Sequence, residues 1–193
     1  MTSQQRLQLA EYLTHYCPLG WREVQHGRRA QLLHRLDSID KACIYHYSDE
    51  GYDTLNQKLH ENGGDNSTLF GQGLAAALAK LPAYVGLAYS GVLLRPAQLQ
   101  YFRARAQHGQ PVSWPAFLSA SQKDTIARQY LHSSGKNCLF VIQSRTGRLI
   151  EEISKYGVDG QNEYEVLFAP NTPFEVLEVA EETSYTRIVL DEL

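Results

Sequence analysis

Two glutamates separated by one residue, Glu163 and Glu165, are the residues of this chain whose type and spacing best suit catalysis. They belong to residues 163–168, whose pattern predicts a β-strand. Alternate side chains of a strand share a face, so we expect the pair to point the same way, with Cα atoms about 6.5 to 7 Å apart. Two carboxyl groups at that distance raise the pKa of one or both. The pair therefore suits distinct protonation roles or the stabilisation of a cationic transition state.

Paired carboxylates of this kind are typical of glycosyl-transfer chemistry. They stabilise an oxocarbenium-like centre, and cleavage of the ribose–nicotinamide bond of NAD creates such a centre. A Glu-x-Glu pattern is also common on the solvated face of a half-buried strand. The pair alone therefore does not define an active site, and its interpretation depends on the residues around it.

Length and composition predict a single folded domain. The chain has 193 residues, enough for one substantial core, and we expect one domain over 1–193. The formal net charge is -3 and the basic residues are scattered, so nucleic acid is not an expected partner. The sequence has no apolar secretory signal and no run of membrane-spanning length, so no membrane partner is expected.

The cysteines and histidines do not suggest a metal site. Cys17, Cys43 and Cys138 are far apart and lie in apolar or aromatic surroundings, which favours buried free thiols. The histidines form no HExxH motif and no paired ligand spacing. We therefore predict no metal.

The period of the apolar residues changes along the chain from helical to strand-like. Helices are predicted around residues 9–16, 32–36, 48–62, 73–81 and 96–108, with Ser48 as the cap of the third. Strands are predicted at 87–92, 117–120, 138–142, 163–168, 174–179 and 186–190. A helix after residue 120 is predicted from a capping box of Ser121 and Asp124. The order indicates an α+β fold with N-terminal helices and a mainly antiparallel β core.

The surroundings of the glutamate pair resemble the arginine-type (R-S-E) mono-ADP-ribosyltransferases, which include cholera-toxin-like and binary-toxin enzymes. Residues 163–176 are similar to the family's Glu-x-Glu strand, proline turn and following strand. Residues 117–121 are similar to its Ser-Thr-Ser element, and residues 45–59 to its tyrosine-rich helix. The resemblance covers residues 45–179. It implies a helical extension at 1–44 and a catalytic core at 45–193, with the N-terminal helices packed on a split β core of ADP-ribosyltransferase type.

The resemblance implies a set of catalytic residues, with NAD as co-substrate. Glu165 would hold the ribose hydroxyl and stabilise the oxocarbenium ion. Glu163 would orient or deprotonate the attacking group, which in the family accompanies transfer to an arginine guanidinium. Ser119 would bind NAD and hydrogen-bond the catalytic glutamate. Ser121 is equally consistent with NAD binding and with a structural cap of the next helix.

This chain departs from the first element of the family's pattern at Ser90. The family has an arginine there, followed by glycine, and we expect Ser90 and Gly91 to bind NAD through their backbone groups. Loss of the guanidinium should weaken NAD binding by about 1.5 to 3 kcal/mol unless another cation replaces it. Arg95, Arg128 and Arg187 are the candidates. A relocated cation, a loss of transfer activity, or an arginine replaced to silence a toxic enzyme would each explain the serine.

Three functions remain open at this stage. The first is transfer of ADP-ribose to an arginine of a target protein by a bacterial toxin or effector. Such a protein is made in the cytoplasm, exported without a signal peptide and active in the cytosol of another cell, and an immunity or inhibitor protein is a further expected partner. Residues 156–162 would form the target-recognition loop, where Tyr156 could stack on the target. The alternatives are NAD glycohydrolase activity and, because of Ser90, a non-catalytic binding module.

Overall fold

The computed structural model describes residues 1–157 and 162–193. The helices are α1 (Ser3–Tyr16), α2 (Pro18–His26), α3 (Ser38–His46), α4 (Tyr52–Glu61), α5 (Leu69–Leu78), α6 (Pro96–His108) and α7 (Asp124–Ser133). A 3₁₀ turn at Arg28–Gln31 follows α2, and a π-helical segment at Tyr47–Gly51 joins α3 to α4. The strands are β1 (Gly86–Val92), β2 (Val112–Trp114), β3 (Leu118–Ser121), β4 (Cys138–Ser144), β5 (Arg148–Leu149), β6 (Glu165–Phe168), β7 (Thr172–Glu181) and β8 (Thr186–Glu192).

The eight strands form one sheet that is nearly divided in two. Their order is β2-β7-β8-β4-β1-β3-β6-β5, in which β4 and β8 are parallel and every other neighbouring pair is antiparallel. The β1–β3 pairing consists of a single register pair, Tyr89 with Ser121. The five strands that end at β1 can therefore diverge from β3-β6-β5. The predicted α+β class and the split, mainly antiparallel core are confirmed.

Two hydrophobic clusters lie on the two faces of β6. The cluster of the helical lobe contains Leu9, Ile44 and Leu74 and reaches the sheet at Leu167. The cluster of the sheet contains Val166 and Phe168. Because side chains alternate along a strand, Glu165 shares the face of Leu167 and points toward the helical lobe. Packing on both faces fixes the strand that carries this glutamate.

One helix prediction is wrong, and two others are wrong at their first residue. Residues 32–36 form no helix, although Leu36 is buried, so their spacing reflects burial rather than helical structure. The helix predicted to begin at Ser48 instead continues from α3 through the π-helical segment. Asp37 is the cap of α3, because its side chain accepts hydrogen bonds from the backbone amides of Ile39 and Asp40. The fourth predicted helix begins earlier, at Leu69, behind a Thr68 cap.

The strand predictions agree in position for β1, β3, β4, β7 and β8, whereas β2 and β5 were not predicted. The predicted strand 163–168 is wrong at its start, because β6 begins at Glu165 and Tyr164 has a positive φ of 49°. All three cysteines are buried and free, as predicted. Across 1–157 and 162–193, no helix is both long and apolar enough to cross a membrane. In the same residues, no group of three or more His, Cys, Asp or Glu side chains could hold a metal ion.

Candidate active site

A buried carboxylate lies at the start of β6. Glu165 is 5% exposed, and its Oε1 accepts a hydrogen bond of 2.7 Å from the Ser119 hydroxyl. The β3–β6 register pairs Ser121 with Glu165 and Ser119 with Leu167, which puts Ser119 diagonally opposite the glutamate on the same face. The second oxygen, Oε2, lies 3.4 Å from the Ser154 hydroxyl. The structure therefore brings Ser119 and Glu165 together and adds a serine that the sequence did not indicate.

The environment of Glu165 makes it a group that titrates near neutral pH. Burial is the main cause that raises the pKa of this carboxyl to about 7; the nearby charge of Glu163 acts in the same direction, and the hydrogen bonds from Ser119 and Ser154 oppose the rise. A carboxyl with such a pKa is present in both protonation states at neutral pH. As predicted, the charge of Glu163 raises the pKa of Glu165, although burial is the larger cause of the rise.

The position of Glu163 differs from the predicted one. It precedes β6, and the positive φ of Tyr164 turns the chain between the two glutamates, so the prediction of a shared strand face is wrong. The Tyr130 hydroxyl on α7 donates to the Glu163 carboxylate. Burial, followed by the hydrogen bond to Glu163, raises the pKa of Tyr130. Glu163 is therefore half-buried beside a helix, whereas Glu165 is enclosed between the sheet and the helical lobe.

Ser121 connects β3 to the backbone of the glutamate pair. Its hydroxyl donates to the main-chain oxygen of Glu163 at 2.6 Å and accepts from the Lys123 amide at 3.0 Å. Lys123 occupies the N-cap position of α7 and no side chain caps that helix, so the predicted capping box of Ser121 and Asp124 is wrong. Ser121 is a residue of β3, and its register pairing with Glu165 puts it on the same face.

Ser90 and Gly91 lie on β1 beside the point where the sheet divides. The buried Ser90 hydroxyl donates to the main-chain oxygen of Ser119 at 2.7 Å. Successive residues of a strand point to opposite faces, so Gly91 faces away from the side of Ser90. A Cβ atom at Gly91 would lie 3.0 Å from the carbonyl oxygen of Ala127 on α7. Glycine thus permits the close approach of α7 to β1.

The three arginines considered as substitutes for the family arginine have other neighbours. Arg128 pairs with Asp124 and donates to the Tyr185 hydroxyl, Arg187 pairs with Glu178 and Glu182, and Arg95 precedes the first turn of α6.

A lysine, Lys136, lies beside Gly91 of β1. The Cδ atom of Lys136 is 3.5 Å from the position of a Cβ at Gly91, and its ammonium is 5.3 Å from the centre of the Tyr130 ring. Burial lowers the pKa of Lys136, and the charge of Glu163 opposes this effect. This placement could not be predicted from the sequence, because Lys136 lies in the segment between α7 and β4, which has no periodic pattern.

The predicted recognition loop, 156–162, lies partly outside the described residues, which omit 158–161. At its start, Tyr156 is exposed and its carbonyl accepts a hydrogen bond of 3.0 Å from the Glu163 amide. At its end, the Asn162 side chain accepts from the Tyr164 amide at 2.8 Å. The loop therefore begins and ends next to the glutamate pair.

The split sheet beside a helical lobe has the ADP-ribosyltransferase fold. The solved structure of ADP-ribosyltransferase HopU1 of Pseudomonas syringae pv. tomato matches with a TM-score of 0.76 at 17% identity, covering 100% of this chain and 98% of that chain. ADP-ribosyltransferase Vis in complex with agmatine, from Vibrio splendidus, matches with a TM-score of 0.66 at 24% identity, covering 100% and 86%.

Comparison of the sequence with known proteins assigns the chain to a family. The family model for NAD:arginine ADP-ribosyltransferases matches residues 41–193, and the chain belongs to that family. The NAD(+)–protein-arginine ADP-ribosyltransferase Tre1 of Serratia proteamaculans (strain 568) is 33% identical over 167 residues, which cover 85% of this chain and 34% of that protein. A Mycobacterium avium relative is 32% identical over 160 residues, and the match covers 18% of its length. The chain thus spans about a third of the length of one of these curated relatives and less than a fifth of the other.

Proposed function

We propose that this chain transfers ADP-ribose from NAD to an arginine side chain of a target protein. The observation that carries the proposal is the buried carboxylate of Glu165, held by Ser119 and titrating near pH 7, with Glu163 beside it. Membership of the NAD:arginine ADP-ribosyltransferase family supports both the donor and the acceptor. The structure of Vis with agmatine, a small molecule that ends in a guanidinium, agrees with an acceptor of this type.

In the proposed reaction, the bond between nicotinamide and the ribose C1′ breaks, and nicotinamide leaves with the bonding electron pair. Ionised Glu165 binds a ribose hydroxyl and stabilises the positive charge that develops on the sugar. A guanidinium nitrogen then forms the new bond to C1′ and loses a proton to the Glu163 carboxylate. Ser119 keeps the Glu165 carboxylate in position, because its hydroxyl donates to Oε1. The two glutamates therefore have separate roles.

NAD would bind where β1 and β3 diverge, with Ser90, Gly91, Ser119 and Ser121 as the binding residues. The Ser90 hydroxyl already donates to the Ser119 carbonyl, so its contribution is to fix the backbone at that junction. Backbone groups at Gly91 would contact the nicotinamide amide. Lys136 adds a positive charge near Gly91 that NAD phosphates could use, in place of the arginine that the family has at position 90.

The test separates the two glutamates by their products. We expect Glu165→Gln to abolish both nicotinamide release from labelled NAD and transfer of ADP-ribose to agmatine or to lysate proteins. Glu163→Gln should abolish transfer while retaining nicotinamide release, because water can still react at C1′. Glu175→Gln is the matched control, since Glu175 lies on β7, five strands away from β6 in the sheet. Transfer that survives in Glu165→Gln contradicts the proposal.

The replacement of the family arginine by Ser90 specifically favours a second candidate, a binding module that has lost catalysis. Calorimetry with NAD distinguishes it: a module without NAD affinity shows no heat of binding in the wild type and in Ser90→Arg. NAD glycohydrolase activity would appear in the glutamate experiment above as nicotinamide release that no guanidinium acceptor changes.

We further propose that the protein is a toxin or effector that acts in the cytosol of another cell, with an immunity or inhibitor protein as its partner. Vis, which shares the fold, is named as a toxin.

A further inference from the structure

The turn that follows β5, at residues 151–157, brings Ser154 against the catalytic carboxylate. The side chain of Ser154 is fully buried, and its Oγ lies 3.4 Å from Glu165 Oε2. Ser154 Oγ also accepts a hydrogen bond from the Tyr156 amide at 3.3 Å. A hydroxyl has one hydrogen to donate, and the amide occupies one of its lone pairs. The hydrogen is therefore left for the carboxylate.

The position of this turn depends on an arginine far away in the sequence. Arg29, in the 3₁₀ turn after α2, is 4% exposed and donates through Nε to the carbonyl of Ile153 at 3.0 Å. Its Nη2 donates to the carbonyls of Ser154 at 2.8 Å and Lys155 at 3.5 Å. A planar guanidinium can hold three successive carbonyls in this way, whereas a lysine ammonium is a single point charge.

Other contacts hold the guanidinium and the turn from both sides. Glu23 on α2 forms an ion pair of 3.3 Å with Arg29, and the Tyr45 ring lies 5.2 Å below the guanidinium. Ser48, in the π-helical segment, accepts a hydrogen bond of 2.8 Å from the Lys155 amide. Arg29 precedes residue 41, where the match to the family model begins. The contact is thus a feature of the N-terminal part of this chain.

We propose that Arg29 and Ser154 are positioning residues: Arg29 fixes the turn, and the turn presents the Ser154 hydroxyl to the second oxygen of Glu165. Ser119 and Ser154 then each hold one oxygen, so the carboxylate cannot rotate away from the ribose. This inference rests on the proposed role of Glu165 in transfer. It predicts that the N-terminal segment contributes to catalysis through the hydrogen bonds from Arg29 to the turn and from Ser154 to Glu165, rather than by contact with NAD.

The pKa of Glu165 can report on the hydrogen bond from Ser154, because few other titratable groups of the described residues face this carboxyl. They are Glu163, Tyr47 from the π-helical segment and Tyr130 from α7. Burial raises the pKa of both tyrosines, and the glutamates raise it further, so the tyrosines remain neutral between about pH 5 and 9. A hydrogen bond to the ionised form lowers a carboxyl pKa. Loss of the Ser154 hydroxyl must therefore raise the pKa of Glu165.

The main experiment measures this titration directly and needs no turnover. The protein is labelled with ¹³C in its glutamate carboxyl groups and titrated by NMR, and Glu165→Gln assigns the resonance of Glu165. Ser154→Ala should raise the pKa of Glu165 by a few tenths of a pH unit to about one, and Ser154→Thr should restore it. Arg29→Lys should shift it in the same direction, and adding Ser154→Ala to Arg29→Lys should shift it no further than Ser154→Ala alone.

Matched controls are Ser133→Ala on α7, whose hydroxyl bonds only to the backbone and a neighbouring serine in the described residues, and Arg105→Lys on α6. Both should titrate as the wild type does. Wild-type titration in Ser154→Ala overturns the inference, and an unchanged or lowered pKa of Glu165 in folded Arg29→Lys overturns the role of Arg29. Thermal unfolding checks the fold of each variant. If Arg29→Lys does not fold, the Ser154 series still decides the contact.

Kinetics separate this inference from the proposed function. With labelled NAD, Ser154→Ala and Arg29→Lys should lower kcat for nicotinamide release below about pH 7 by several-fold and leave KM for NAD within about twofold. If Glu165→Gln is inactive while both variants match the wild type at every pH, the inference fails and the proposed function stands. If the wild type cleaves no NAD but Ser154→Ala shifts the titration, the proposed function fails and the contact stands.

Discussion

Replacement of Glu165 by glutamine should make the free energy of unfolding, relative to that of the wild type, higher at alkaline pH than at acid pH. Burial, assisted by the charge of Glu163, raises the pKa of the Glu165 carboxyl from 4.5 to about 7 in the folded protein. The folded state therefore holds its proton more tightly than the unfolded state does. Stability falls as the pH rises from about 4.5 to about 7, because only the unfolded state ionises freely in that range. Above about pH 7 the loss is complete and constant.

The magnitude follows from the two pKa values. The difference between 4.5 and about 7, at about 1.4 kcal/mol for each pH unit, corresponds to about 3 kcal/mol. Glutamine has nearly the same shape, can accept the hydrogen bond from Ser119 and carries no charge at any pH. Its amide has its own cost of burial, but that cost does not change with pH. The stability of Glu165→Gln relative to the wild type should thus increase by about 3 kcal/mol between about pH 4.5 and 7.

Urea unfolding at a series of pH values from about 4 to 9 measures this difference, provided that the m-values of the two proteins agree. Glu175→Gln on β7 is the control, and it should run parallel to the wild type across the series. A stability difference between Glu165→Gln and the wild type that does not change with pH would refute the argument, because it would mean that Glu165 has an ordinary pKa.

Three further perturbations test the same structure. Glu163→Gln should lower the pKa of Glu165, since it removes the like charge, and the fall in stability measured by urea unfolding should move to lower pH. Gly157→Ala would place a methyl group 1.7 Å from the Glu151 carbonyl oxygen, so it should reduce the free energy of unfolding by about 1 to 3 kcal/mol and reduce NAD cleavage. Phe140→Ala empties a fully buried position of the sheet cluster and should cost about 3 to 5 kcal/mol in urea unfolding.

The strands that could be predicted from the sequence are those whose pattern is set by local burial. In β8, for example, Ile188 and Leu190 face the sheet cluster while Arg187 faces outward, and this alternation is visible in the residues themselves. The same argument fails at Leu36, which is buried at helical spacing in a segment that is not helical. Apolar spacing reports which residues are buried. It does not report the backbone conformation when capping elsewhere, here at Asp37, decides where the helix starts.

The candidate site could be predicted in part. The resemblance to the family led to Ser119 and Glu165, and the structure brings their side chains within 2.7 Å of each other. Ser154 and Arg29 could not be found in this way, because their contacts join segments 11 and 125 residues apart in the chain. Hydrogen bonds between distant segments leave no periodic signal. They are properties of the folded backbone, and Arg29 also precedes the part of the chain that resembles the family.

The largest difference between expectation and structure, the conformation of Tyr164, also explains why the two glutamates can have different roles. On one strand face, both carboxyl groups would share one environment. The positive φ at Tyr164 instead leaves Glu165 buried in β6 and puts Glu163 beside the Tyr130 hydroxyl. An L-residue adopts this conformation at a cost of about 1 to 2 kcal/mol. The Asn162 side chain, which accepts from the Tyr164 amide, and the Lys123 ammonium, 5.3 Å from the Tyr164 ring centre, offset this cost. They thereby stabilise the backbone conformation that puts the two glutamates in different environments.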